Sequence, residues 1–175
     1  MWVFLGSECM FFGALISTFL LYRNATADGP GPAEVFDIPF TSASSFILLM
    51  SSLTMVLAHH ANHNRDMRQA RVWLLATAGL GATFLAGQIF EFTEFVQNGL
   101  SLSTSPFGSS FFLLTGFHGM HVAIGVLMLL AMYVMSLNGR LNDEEGMNVE
   151  LVGLYWHFVD IVWIVIFTVV YLLQV

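Results

Sequence analysis

Two pairs of titratable side chains sit three residues apart deep inside apolar runs, and that spacing defines the chemistry this chain can offer. His118 and His121 lie in Thr115-Gly116-Phe117-His118-Gly119-Met120-His121-Val122. Residues i and i+3 are neighbours on one helix face, so two such imidazoles can ligate a metal or a haem. A metal site needs further ligands, and His157 is the only other histidine deep inside a run. The plainer expectation is that both rings make interhelical hydrogen bonds where Gly116, Gly119 and Gly125 admit a neighbouring helix. His157 and Asp160 repeat the spacing within Tyr155-Trp156-His157-Phe158-Val159-Asp160-Ile161-Val162-Trp163. A carboxylate can hold an imidazole in one tautomer, so this pair is expected to form a buried hydrogen-bonded couple, with a proton relay as the functional alternative.

Three further groups carry charge into or beside apolar sequence. Glu91 and Glu94 are again three apart. Glu94 is expected near the interface, whereas Glu91 and Gln88 lie deeper and are expected to hydrogen-bond a neighbouring helix. Glu8 stands beside Cys9 among Phe4, Met10, Phe11 and Phe12. A lone carboxyl in such surroundings is costly in its charged form. That makes Glu8 the best candidate for a special protonation state, or for contact with a lipid or partner subunit. His59, His60 and His63 stand beside Arg65 and loosely resemble a metal cluster. Surface solvation explains them equally well, and histidines at a membrane surface can also collect protons. There is no phosphate-cradling glycine loop, no nucleophile–base arrangement and no complete redox ligand set. The expectation is a chain with no catalytic residue, cofactor or metal of its own.

The elements that must position these groups follow from composition. Of 175 residues, 57% are hydrophobic and 10% charged, lysine is absent, and the formal charge is −7. With mean hydropathy +0.75, this reads as an integral membrane protein. Five basic residues leave no footprint for nucleic acid. A single cysteine excludes an internal disulfide. A helix crosses the ~30 Å hydrocarbon core with about 20 apolar residues. Five runs qualify, at about 2–22, 40–61, 72–96, 107–137 and 149–175. Period-2 alternation is missing, so helices are expected rather than a barrel. The first run holds Glu8 and continues to Tyr22, which reads as a spanning helix and not a signal peptide. The expected fold is all-α: one domain over residues 1–175, a five-helix polytopic bundle. Loops two and four hold Arg65, Arg68, Arg71 and Arg140, the last beside Asp143, Glu144 and Glu145. Loops one and three hold Arg23 alone. The positive-inside bias therefore puts the N-terminus inside and the C-terminus outside.

From end to end the chain resembles subunit III of the haem-copper oxidases, most closely the cytochrome c oxidase branch. The resemblance rests on Ser7-Glu8-Cys9-Met10-Phe11-Phe12, His59-His60, the Arg65–Arg71 loop, Gln88-Ile89-Phe90-Glu91-Phe92, and the two long histidine motifs above. The mitochondrial-type subunit has seven spanning helices, and this chain matches the last five, as in the short bacterial form. The two missing helices build one side of a lipid cleft in that family, and their head-group ligands have no counterpart here. The resemblance implies a subunit without haem or copper, in a bacterial cell membrane. It would pack on subunit I beside subunits II and IV, whose complex carries haem a and copper, with bound phospholipid possible. Its role would be to support proton uptake and sustained turnover, with Glu8 matching the family's reactive intramembrane acid. Quinol oxidase is the alternative. That branch usually has Asp in the first motif and Thr before the first His of the fourth-run motif, so Glu8 and Phe117 favour the cytochrome c branch. A different class is a stand-alone proton-coupled transporter or b-type cytochrome, and a Soret band in the isolated chain would support the cytochrome.

The arginine asymmetry generates a test. With Cys9→Ser as background, Ser103→Cys is expected to label with a membrane-impermeant thiol reagent added from outside, and Asn64→Cys is not. The reverse pattern would invert the orientation.

Overall fold

The structure, a computed structural model, describes residues 1–26, 37–138 and 146–173. Five helices follow one another: α1 Trp2–Tyr22, α2 Ile38–His63, α3 Met67–Gln97, α4 Pro106–Leu137 and α5 Gly146–Phe167. A π-helical turn, Thr168–Leu172, continues α5. Each of the five is long and apolar enough to cross a membrane, and the described residues contain no strand.

Side-chain caps explain where three of them start. Asp37 accepts from Phe40 N, Asp66 from Gln69 N and Ser105 from Gly108 N, so each oxygen satisfies one of the free first-turn N–H groups. Asp37 and Ser105 are followed by proline in the first turn, where the missing N–H costs nothing. Arg65 takes a positive φ of 59° to turn the chain between α2 and α3.

The connection expected between the second and third runs contracts to Asn64–Asp66, because α2 runs on through His63 and α3 begins at Met67. His59, His60, Arg68 and Arg71 are thus helical. Hydropathy marks where a helix enters lipid, not where its hydrogen bonding ends. At 1.5 Å per residue the 31-residue α3 is about 46 Å long, well beyond the hydrocarbon core. Likewise α5 begins three residues before the expected 149. Arg140 and the Asp143–Glu145 cluster lie outside the described residues.

Helices α2, α3, α4 and α5 form a closed ring of neighbours, and α1 packs on α4 with a lighter contact to α5. The centre of the ring is Trp156 of α5, only 1% exposed. Its indole N–H donates to Ser51 Oγ of α2 at 3.0 Å. A Cβ on Gly81 of α3 would lie 2.5 Å from Trp156 Cη2, and one on Gly125 of α4 would lie 2.8 Å from Cε3 and Cζ3. One side chain thus reaches all three other helices. Trp163, two turns on, repeats the pattern by donating to Ser45 Oγ at 2.8 Å. Helix α1 buries only Leu5, Phe12 and Phe19, a stripe with seven-residue spacing, while Val3 and Met10 are 89% and 80% exposed.

Around the histidines, the expectation for the glycines holds at two positions of three. Gly119 admits Gln88 and Gly125 admits Trp156, whereas nothing lies within 4 Å of a Cβ at Gly116.

Adding one methyl at Gly125 must displace a fully buried indole. Gly125→Ala is expected to lower stability by about 1–3 kcal/mol. Gly6→Ala meets nothing within 4 Å and is expected to be neutral or stabilising by up to about 1 kcal/mol from helix propensity. Thermal loss of helical circular dichroism in mild detergent checks both.

Candidate functional site

Glu8 meets His121. In α1, Leu5, Glu8 and Phe12 follow one another at helical spacing, so the stripe that docks on α4 carries the carboxyl with it. Glu8 Oε2 lies 3.2 Å from His121 Nε2, with the two side chains 18% and 10% exposed. The other ring nitrogen, Nδ1, donates to the Phe117 carbonyl at 2.7 Å. The Tyr155 hydroxyl of α5 donates to the His121 carbonyl at 3.1 Å. Phe12 and Phe11 pack on the imidazole at 5.0 and 6.4 Å between centroids, and Phe4 stacks on Tyr155. The result is a carboxyl–imidazole contact walled by aromatic rings, where a weak dielectric strengthens it.

His118 departs from expectation. It is fully buried, but both ring nitrogens lack a hydrogen-bond partner. Its imidazole instead stacks on Trp163 at 4.8 Å and meets the edges of Phe84 and Phe12. Its nearest ring neighbours are thus apolar faces and edges. It serves as an aromatic plate.

The expected direct His157–Asp160 couple is also replaced. His157 Nδ1 lies 2.6 Å from Ser52 Oγ on α2, and the same hydroxyl is the polar neighbour of the Asp160 carboxyl. Asp160 Oδ1 is buried without a partner. A hydroxyl from the facing helix thus stands beside both groups. Ser52 was not singled out by sequence reasoning. The available signal was the set Ser44, Ser45, Ser51 and Ser52, small polar residues at helical spacing inside an apolar run.

Glu91 and Gln88 do reach neighbouring helices. Thr41 of α2 donates to Glu91, and Gln88 Nε2 donates to the Thr115 carbonyl of α4 at 3.1 Å. Tyr171 of the π-helical turn adjoins the Thr41–Glu91 contact, while Glu94 is exposed. At the opposite end of the bundle, His59, His60 and His63 are exposed on the last turns of α2. Arg71 Nη2 donates to the Ser136 carbonyl at 2.6 Å, tying the start of α3 to the end of α4. Among the described residues no three His, Cys, Asp or Glu side chains are grouped as a metal site would require. The arrangement can hold and share protons.

Comparison with known proteins is in keeping with a bundle of membrane-spanning helices. The family model described as cytochrome c oxidase subunit III matches residues 1–175. A cytochrome c oxidase subunit 3 from Bacillus sp. (strain PS3) is 41% identical over 172 residues, covering 98% of this chain and 83% of the relative. A quinol oxidase subunit 3 from Bacillus subtilis (strain 168) is 39% identical, covering 98% and 84%. A cytochrome bo(3) ubiquinol oxidase subunit 3 from Pseudomonas aeruginosa is 38% identical, covering 98% and 82%. With five helices able to span a membrane and a family match over its whole length, this multi-pass chain belongs to the subunit III family of the haem-copper oxidases.

Proposed function

We propose that this chain is the non-redox accessory subunit III of an aa3-type cytochrome c oxidase in the aerobic respiratory chain of a bacterial cell membrane. It packs on subunit I, in a complex with subunits II and IV, and supports proton uptake and sustained turnover during oxygen reduction. Haem a and copper belong to the partner subunits. The observation that carries this reading is how the buried imidazoles are spent. His121 is engaged by Glu8 and the Phe117 carbonyl, His157 by Ser52, and His118 by the face of Trp163. Among the described residues no three His, Cys, Asp or Glu side chains are grouped as ligands to a redox metal would be. The groups that remain are suited to handling protons and to packing.

The aspects of position follow. The N-terminus lies inside, so the end of the bundle with Arg65, Arg68 and Arg71 faces the cytoplasm. His59, His60 and His63 then form an exposed imidazole cluster at the surface from which protons are drawn. The apolar face of α1 meets lipid or another subunit.

A quinol oxidase is the second reading, because relatives of both kinds are nearly equally similar. Glu8 and Phe117 support the cytochrome c branch. The purified complex is expected to oxidise reduced cytochrome c; turnover with quinol alone would select the second reading.

Glu8→Gln tests the accessory role. The assembled complex is expected to keep its metal-centre spectra and its initial oxygen-reduction rate within about twofold, about 0.4 kcal/mol in barrier. The loss is expected in assembly, lipid retention or the number of turnovers before inactivation. In the unsubstituted complex a hydrophobic carbodiimide is expected to modify Glu8 ahead of Glu144 or Glu145. Immediate abolition of oxygen reduction in a spectrally normal Glu8→Gln complex would place this chain in the chemistry and end the accessory reading.

A further inference from the structure

The geometry around Glu8 fixes a proton count. The Phe117 carbonyl oxygen can only accept, so His121 Nδ1, 2.7 Å away, carries a hydrogen. Nε2 is therefore the atom that faces Glu8 Oε2 across 3.2 Å. If neither atom carried a proton, a nitrogen lone pair would point at a carboxylate. That contact is repulsive, and it would leave an unpaired charge among the rings of Phe11, Phe12 and Phe117. If both carried one, two hydrogens would meet in the same gap, and moving the carboxyl hydrogen to Oε1 would leave a partly buried imidazolium with no counter-charge.

We propose that Glu8 and His121 hold a single proton between them and act as one unit, with His121 the positioning residue that decides where the proton of Glu8 sits. The two forms are Oε2–H···Nε2 and Oε2⁻···H–Nε2⁺. Passing from one to the other breaks an O–H bond, forms an N–H bond and leaves the couple neutral. Withdrawing the proton turns the couple into a site of charge −1 at the α1–α4 seam. Both side chains are partly exposed along that seam.

The neighbouring titratable groups have contacts of their own. From α4, His118 is stacked on Trp163. From α5, the Tyr155 hydroxyl is engaged by the His121 carbonyl. On α1, Cys9 is next in sequence and exposed. The carboxyl of Glu91 is held by Thr41 of α2, and His157 by Ser52. The couple is the same in a complex supplied by cytochrome c or by quinol.

Infrared difference spectroscopy of the intact complex tests it. The Glu8 signal is identified by its loss in Glu8→Gln. In His121→Phe the protonated-carboxyl C=O band is expected to appear, if the ion-pair form dominates, or to shift to higher frequency, if the acid form does. In His121→Gln, which can still hydrogen-bond but cannot take the proton, Glu8 is expected to show a C=O band at lower frequency than in His121→Phe. Glu91→Gln is expected to leave the Glu8 signal in place. A Glu8 signal of the same position, intensity and pH profile in wild type and His121→Phe overturns the proposal. If the His121→Phe complex fails to assemble, ¹⁵N-histidine resonances of the assembled complex decide. Nδ1 of His121 is expected to be protonated, and Nε2 to move in Glu8→Gln. An unprotonated Nδ1, or an Nε2 resonance that Glu8→Gln leaves unmoved, overturns it.

Discussion

Trp156 is the contact on which the rest of the bundle depends. Lipid tails are as apolar as leucine, so helices in a membrane associate through close packing and hydrogen bonds rather than by escaping water. Trp156 supplies both at one point. Its ring edge is received where Gly81 and Gly125 have no side chain, and its N–H is received by Ser51. Those contacts set α5 against α2, α3 and α4 together. Trp163 extends the same register to Ser45 and Phe84 and gives His118 the surface on which it stacks. With α4 so oriented, His121, one turn from His118, turns its Nε2 outward to α1. The geometry of the candidate site is thus a consequence of two indoles.

The same solvent explains how the polar groups are arranged. An unpaired polar group at membrane depth has no water to turn to. Most of those here are answered from another helix: Gln88 by Thr115, Glu91 by Thr41, His157 by Ser52, Glu8 by His121. Helix α1 has the narrowest apolar seam, with Leu5, Phe12 and Phe19 as its buried residues. Its tie to the ring therefore leans on the Glu8–His121 contact more than any other helix leans on one polar pair. This makes Glu8 both a proton-holding group and a docking element. A substitution there should be read for assembly as well as for chemistry.

Much of the fold was legible in the residues, and part of the site was. The length and apolarity of the runs implied five spanning helices because the hydrocarbon thickness is fixed. Helix ends outside the lipid were not legible from hydropathy. Asp66 starts α3 by capping it, and a cap is a local hydrogen bond that an average over apolar residues does not register. Glu8, Glu91, His121 and Gln88 stood out because ionisable or amide groups are rare in such runs. Ser52 did not, because serine is common in membrane helices and its role exists only opposite His157.

The sequence by itself determined the class of molecule, the number of crossings, the family and which side chains were too costly to be idle. Those properties are sums or spacings along one chain: apolar length, residue type and the three-residue interval that puts two groups on one helix face. Only the tertiary structure decided what each group faces. It gave His121 to Glu8, Ser52 to His157 and Thr41 to Glu91, and it gave His118 to the face of Trp163 instead of a hydrogen bond. The reason is that a helix offers its side chains in every direction. Which direction meets a donor, a carboxyl or a ring depends on the rotation of each helix about its own axis. Here that rotation is set by where two indoles find glycine and serine on the helices across from them.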